Sequence, residues 1–202
     1  MTAINVLVLP DRALMISDGA AYVDGKIVHR YHKVTALPHI NAAIGIRGMR
    51  MVSTIVIDAI SAGARSYDDL RARIVDLVRA TFEPVAPIWQ SKYGPDILDC
   101  EIIVAGWSES RGPAGFILAT SDTNAAYGFP AWTVVDIPAA FFSPDNGELA
   151  GKFACPDFDD AMAIELIERQ SAMRSNVGEF CQLTTVRQHG IEPRVLKNWK
   201  AV

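Results

Sequence analysis

Short apolar runs separated by turn residues open the chain and predict a block of paired β-strands. The run INVLVL (residues 4–9) is rich in β-branched residues, and PDR and then ALMISDG (13–19) follow it, so we expect a strand, a tight turn and a second strand. Asp24-Gly25 is a second turn signal, followed by one strand of alternating character in KIVHRYHKV (26–34). INAAIGIRGM (40–49) is predicted to be a further short strand that ends in glycines.

Helical periodicity replaces the strand pattern in the next part of the chain. MVSTIVIDAISAGA (51–64) carries apolar residues on a broad face and few charges, which is typical of a buried helix. In SYDDLRARIVDLVRATFEP (66–84), Ser66 is a suitable N-cap, Pro84 ends the helix, and an apolar stripe is formed by Leu70, Ile74, Leu77 and Val78. The Pro-rich stretch EPVAPIWQSKYGPD (83–96) is expected to be a connector.

The second half of the chain repeats the change from strands to a helix and back. Residues 100–122 predict a hairpin with a loop around Gly112-Pro113, and residues 126–142 predict one or two short strands. DFDDAMAIELIERQSAM (157–173) predicts a helix with acidic residues in its first turn, and residues 180–199 predict a hairpin that turns near His189-Gly190. Helices grouped between blocks of strands indicate an α+β fold with two sheets face to face and helices outside each sheet.

Composition narrows the class of protein. The chain has 202 residues, 50% of them hydrophobic, which fits one domain over 1–202 with a sizeable core. Its net charge of -4 argues against a nucleic-acid binder, and no apolar run is long enough to predict a membrane helix. We expect no secretory signal at the N-terminus. The three scattered cysteines predict a reducing, cytoplasmic compartment and no disulfide framework.

The first predicted hairpin brings an acidic residue to the beginning of the chain. With the turn at Pro10-Asp11, the strand register places Thr2 opposite Gly19 and therefore places Asp18 at the same end of the sheet. Two interpretations follow from the residues alone. The segment is an ordinary edge hairpin, or it is the nucleophile end of an N-terminal hydrolase.

Four stretches of the chain resemble the proteasome β-subunit family, and within it the bacterial proteasome-like peptidases that begin at Met-Thr. They are MTAINVLV with ISDGAAYVDGKIVHRYHKV, AAIGIRGM (42–49), EIIVAGWSESRGPAGFIL (101–118), and the last helix with its hairpin. The resemblance implies an N-terminal nucleophile (Ntn) hydrolase domain, folded as a four-layer αββα sandwich. It also implies a peptide or amide substrate, a homo-oligomer and no cofactor. Any ATPase that takes part would be a separate chain.

The resemblance also assigns roles to particular residues. Thr2 matches the nucleophile, with its own α-amine as the general base once the initiator methionine is removed. Lys33 matches the ammonium group that favours the unprotonated amine, and Asp18 matches the carboxylate that holds this lysine. Gly48 matches the backbone N–H donor of the oxyanion hole. Ser143 stands where the family places a Gly-Ser-Gly-like loop.

The chain departs from the family pattern near this serine. The loop reads AAFFSPDNGELAG (139–151), where Phe142 and Pro144 flank Ser143, and a short helix after it is expected to be missing or remodelled. The second aspartate of the family falls at Ser175 and Asn176. These departures support an alternative function, a catalytically degenerate fold used as a structural or assembly subunit, for example of a virus particle or another large complex.

Two further groups of polar residues resemble metal sites. His29 and His32 lie three residues apart on a predicted strand and therefore point to opposite faces, which argues against a metal site. The run DFDD (157–160) lacks the glycine and the final glutamate of a calcium loop and is better explained as the start of a helix. We therefore expect neither a metal nor an organic cofactor.

Overall fold

A computed structural model describes residues 3–23, 26–143, 148–174 and 177–199. Twelve strands run through this part of the chain. In chain order they are β1 (Ile4–Val8), β2 (Ala13–Asp18), β3 (Ala20–Val23), β4 (Lys26–Arg30), β5 (Val34–Leu37), β6 (Ala42–Arg47), β7 (Glu101–Ser108), β8 (Gly112–Ala119), β9 (Val134–Asp136), β10 (Ala140–Phe141), β11 (Phe180–Arg187) and β12 (Gly190–Asn198).

The strands form two main sheets with antiparallel pairing throughout. The first sheet has the order β10-β1-β2-β11-β12 and the second has the order β5-β6-β7-β8-β9, while β3 and β4 form a separate two-stranded sheet. In the β1–β2 hairpin, Ile4 lies opposite Ser17. This register places the end of β2 beside the start of β1.

Five helices flank the sheets in the described part of the chain. They are α1 (Arg50–Gly63), α2 (Tyr67–Phe82), α3 (Ala86–Tyr93), α4 (Glu148–Phe153) and α5 (Asp160–Met173). Local capping explains where two of them begin. Ser66 accepts a hydrogen bond from the Asp69 amide at the start of α2, and Asp159 accepts one from the Met162 amide at the start of α5. No helix in the described ranges is long and apolar enough to cross a lipid bilayer.

Three apolar clusters hold the elements together as layers. One cluster packs α1 and α2 on the second sheet through residues such as Val56 and Ile74, and another packs α4 and α5 on the first sheet through Phe153 and Leu166. The third cluster lies between the two sheets and includes Ile4 and Ile103. The chain therefore folds as the four-layer αββα sandwich that the sequence predicted. Both faces of the main sheets are covered, which explains why β1 is buried at residues 4–7 and carries apolar residues at every position except Asn5, with no alternation of apolar and polar residues.

Three local predictions are wrong. The run 26–34 is not one strand: β4 ends at Arg30 in the small sheet, and β5 begins at Val34 in the second sheet. Gly112-Pro113 lies inside β8, not in a loop. The segment that was predicted to be a connector contains α3. Its proline lies in the first helical turn, where an amide hydrogen would have no partner within the helix, so the proline does not prevent helix formation.

A short helix, α4, follows Ser143, so of the two expected alternatives the helix is not missing. It is held by burial of Leu149 and Phe153 against the first sheet, an arrangement that the glycine-containing sequence ELAGKF does not indicate by itself. The turn predicted at Asp24-Gly25 lies outside the described residues.

Candidate active site

The carboxylate of Asp18 is the centre of a buried polar cluster at the end of β2. Its side chain is fully buried, and its Oδ1 accepts hydrogen bonds from the Ala3 amide at 2.9 Å and from Lys33 Nζ at 2.6 Å. Its Oδ2 accepts hydrogen bonds from the amides of Ala20 and Gly178, each at 3.2 Å. Burying a carboxylate is costly unless it is paired and hydrogen-bonded, and here both conditions are met. These donors fix the carboxylate close to the beginning of β1.

Lys33 reaches the carboxylate from the segment between β4 and β5. Its side chain is 2% exposed, so the ion pair with Asp18 is shielded from solvent. Burial lowers the pKa of Lys33 below its usual value, since the charged form loses hydration; the Asp18 carboxylate opposes this effect and Arg47 adds to it. The lysine is thus held close to a carboxylate and has an increased tendency to give up its proton.

Gly48 follows β6 at the same end of the second sheet. The pairing of Val34 with Gly45 places the residues before β5 and after β6 next to each other. Gly48 has a φ of +151°, and a Cβ built on it would lie 2.8 Å from the Cβ of Cys100. Glycine is therefore required at this position, both by the backbone angle and by the close approach of the chain that enters β7.

Ser143 is brought to this region after β10. It is buried, and its amide donates to Asn5 Oδ1 at 3.0 Å while its carbonyl accepts from the Ile4 amide at 3.3 Å. Its hydroxyl accepts a hydrogen bond from Arg47 Nη1. Ser143 therefore connects the first strand of one sheet with the last residue of β6 in the other sheet.

Arg47 and Glu101 are parts of this cluster that the sequence analysis missed. They lie opposite each other in the β6–β7 register, and Arg47 Nη1 is 2.7 Å from Glu101 Oε2. Glu101 also accepts a hydrogen bond from Asn124. The signal in the sequence was the charge of Arg47 at the end of the otherwise apolar run AAIGIR, because arginine is rarely buried unless it is paired.

The structure brings together some of the predicted site residues. Asp18 and Lys33 are in direct contact, and Arg47 links Ser143 to the strand that precedes Gly48. Thr2 lies outside the described residues, as do Pro144, Ser175 and Asn176.

Within the described residues, no group of three or more His, Cys, Asp or Glu side chains is arranged to hold a metal ion. His32, which was predicted to lie on the same strand as His29, lies between β4 and β5, with Nδ1 at 2.9 Å from Gln182 Oε1.

Comparisons with known proteins show the fold. No protein-family model matches the chain. No curated protein matches it either. Among solved structures, the chain is similar to Anbu (ancestral beta-subunit) from Yersinia bercovieri, with a TM-score of 0.70 and 10% identity over 96% of this chain and 86% of that one. An Anbu mutant from Hyphomicrobium sp. strain MC1 has a TM-score of 0.69 and 14% identity, over 98% and 87% of the two chains.

These comparisons define the class of fold and correct one prediction. The chain has a proteasome-like fold of the Ntn type, similar to that of Anbu proteins. The assignment to the proteasome β-subunit family, and within it to the bacterial proteasome-like peptidases, is wrong: the solved structures that the chain resembles are Anbu (ancestral beta-subunit) proteins, at 10% and 14% identity. Apolar strand and helix patterns, on which the resemblance depended, are compatible with many different core sequences, so they can be shared by chains with few identical residues.

Proposed function

We propose that this chain is an N-terminal threonine amidohydrolase of the peptidase type, acting as a single-domain subunit of a homo-oligomer. The observation that carries the proposal is that one buried carboxylate, Asp18, binds both the Ala3 amide and Lys33 Nζ. Thr2 is joined to Ala3 by a peptide bond, so the proposed nucleophile is one residue from this cluster. A buried charge pair beside the chain start is expensive to maintain in a purely structural hairpin.

The proposed reaction uses the two functional groups of Thr2. After removal of Met1, the hydroxyl oxygen attacks the carbonyl carbon of the substrate amide, and the hydroxyl proton passes to the free α-amine. The carbonyl oxygen becomes an oxyanion, for which the Gly48 N–H is the proposed donor. The C–N bond then breaks, the leaving amine takes the proton from the α-ammonium group, and an ester remains on Thr2. Water hydrolyses this ester and restores the hydroxyl.

Two cationic side chains support the base in this scheme. Lys33 and Arg47 both stand at the site end of the second sheet, and a nearby positive charge favours the neutral form of an amine. Removing either charge is expected to raise the pKa of the Thr2 amine, which would lower the fraction of protein with a competent base at neutral pH.

Assembly is part of the proposal. Several large apolar side chains remain exposed on the isolated chain, among them Ile88 at 67% and Tyr127 at 78%. Exposed apolar side chains of this size are frequent at subunit interfaces. Sedimentation at micromolar concentration should show a species larger than one chain, and a single monomeric boundary would contradict this part of the proposal.

Electrophile labelling tests the reaction directly. The protein is prepared without Met1, verified by intact mass, and incubated with a β-lactone that acylates reactive hydroxyl groups. We expect a single acyl adduct on Thr2, loss of that adduct in Thr2→Ala, and slower labelling in Lys33→Met. Lys197→Met, which removes an exposed lysine, is the matched control and should label like the unmodified sequence. Equal labelling of Thr2→Ala and its parent, or labelling of neither, would refute the proposal.

One observation favours the second function, a structural or assembly subunit. The Ser143 hydroxyl is occupied by Arg47, and Arg47 is paired with Glu101, so this serine links the two sheets. A protein with that role has no need of a free Thr2 amine. Intact mass of the protein from its native host separates the two functions, since retention of Met1 in the assembled form would favour the structural role.

A further inference from the structure

A pair of amide side chains is buried behind the candidate site. Asn5 lies on β1 and Gln170 lies on α5, and both side chains are fully buried. Asn5 Nδ2 donates to Gln170 Oε1 at 3.0 Å, and Gln170 Nε2 donates to Asn5 Oδ1 at 2.8 Å. The two amides therefore bind each other reciprocally within the layer between the first sheet and α5, where the surrounding side chains are apolar.

The Asn5 amide has its orientation set by the main chain. Its Nδ2 also donates to the Ile16 carbonyl at 3.3 Å, and its Oδ1 also accepts from the Ser143 amide at 3.0 Å. A carbonyl can only accept and a backbone amide can only donate, so the opposite orientation of the Asn5 side chain would break both bonds. Gln170 then completes the arrangement from the helix layer.

The amide pair holds Ser143 through the hydrogen bond between the Ser143 amide and Asn5. Asn5 holds the Ser143 amide, the Ile4 amide binds the Ser143 carbonyl, and Arg47 binds its hydroxyl. The position of Ser143 is therefore determined from both main sheets and, through Gln170, from α5. Buried polar groups that are fully hydrogen-bonded rigidify the residues they join, whereas partly bonded ones are costly.

We propose that Asn5 and Gln170 are positioning residues that fix Ser143 at the end of β10, and that N-terminal threonine chemistry depends on this placement. The first half stands on the hydrogen bonds above. The second half rests on the function proposed in the preceding subsection. In the described part of the chain, Asn5 is linked to the site through the Ser143 amide, and Gln170 is linked to it through Asn5.

The test replaces the glutamine by side chains of similar size. Gln170→Met removes both amide bonds while keeping the volume. Gln170→Glu restores them when its carboxyl group is protonated, because a neutral carboxyl can donate to Asn5 Oδ1 and accept from Asn5 Nδ2. Ser108→Ala is the matched control, since Ser108 is also buried and hydrogen-bonded but lies at the far end of β7. Two readouts are taken for each variant: hydrogen exchange of the Ser143 amide and the rate of β-lactone labelling of Thr2.

We expect Gln170→Met to speed hydrogen exchange of the Ser143 amide by about 10-fold. The reason is that Asn5, which accepts the hydrogen bond from this amide, loses its own hydrogen bonds to Gln170. Labelling should slow by about 10- to 100-fold, as small displacements near reacting groups are costly. Relative to the unmodified protein at the same pH, Gln170→Glu should recover both values at acidic pH and lose them as the pH rises, and Ser108→Ala should change neither. A purely structural role would produce no such pH-dependent recovery of labelling.

The two readouts separate the two halves of the proposal. Unchanged exchange at Ser143 in Gln170→Met would overturn the placement of Ser143 by the amide pair. Faster exchange with unchanged labelling would overturn the dependence of the chemistry on that placement. If the unmodified protein fails to label at all, the proposed function and the second half fall together, and the exchange measurement still decides the first half.

Discussion

Removing one partner of the buried ion pair between Asp18 and Lys33 should cost far more stability than removing one partner of an exposed pair of the same geometry. Lys33→Met keeps much of the side-chain volume but leaves the carboxylate without its cation. Removing one partner of a buried pair typically costs about 3–5 kcal/mol. Asp18 would retain the backbone amides of Ala3, Ala20 and Gly178, so we expect the lower end of this range, about 3 kcal/mol.

The chain offers a closely matched control for this substitution. Lys197 Nζ lies 2.6 Å from Glu168 Oε1, the same separation as between Lys33 Nζ and Asp18 Oδ1. The side chains of the control pair are 43% and 44% exposed, so solvent screens their interaction. Lys197→Met should therefore cost no more than about 1 kcal/mol.

Urea unfolding followed by far-UV circular dichroism measures both costs. The midpoint should fall clearly for Lys33→Met and hardly at all for Lys197→Met, with the same denaturant dependence in each case. A double variant, Asp18→Asn with Lys33→Met, isolates the coupling between the two side chains. Equal losses for Lys33→Met and Lys197→Met would refute the argument, because burial is the property that distinguishes the two pairs.

The pH dependence provides an independent check on the same lysine. Burial lowers the pKa of Lys33 in the folded state, so between that value and the ordinary lysine pKa the unfolded chain binds more protons than the folded chain. Stability contributed by Lys33 must therefore increase with pH across this window. The stability difference between the unmodified protein and Lys33→Met should grow in favour of the unmodified protein as the pH approaches about 10.4. A difference that shrinks with rising pH would contradict the assigned direction.

Two further substitutions or modifications test other parts of the structure. Gly48→Ala should lower stability by about 1–3 kcal/mol, because the φ of +151° is unfavourable for alanine and the added Cβ would clash with Cys100. Thermal unfolding measures this loss, and an unchanged midpoint would contradict the described backbone. Burial raises the pKa of Cys100 and of Cys181 to about 12, so neither thiol should react with iodoacetamide at pH 8. The partly exposed Cys155 should be modified under the same conditions, and peptide mass analysis measures the modification of all three. Modification of Cys181 in the folded protein would contradict its placement.

Local signals predicted the elements whose structure depends on neighbouring residues. The β1–β2 hairpin followed from two apolar runs around PDR, and the start of α2 followed from the Ser66 cap, which the structure shows bonded to the Asp69 amide. The position of Asp18 followed from counting along that hairpin. The errors occurred where a segment joins a different layer. The run 26–34 has one alternating pattern, but its two halves belong to different sheets.

The sequence by itself determined which segments are strands and helices over most of the chain, and hence the α+β class with layered sheets. The tertiary structure alone decided which distant residues surround the candidate site. Arg47 meets Ser143 across 96 positions, and Asn5 meets Gln170 across 165. An apolar period shows which face of an element is buried, but it carries no information about which other element covers that face. Those contacts depend on how all four layers pack against one another.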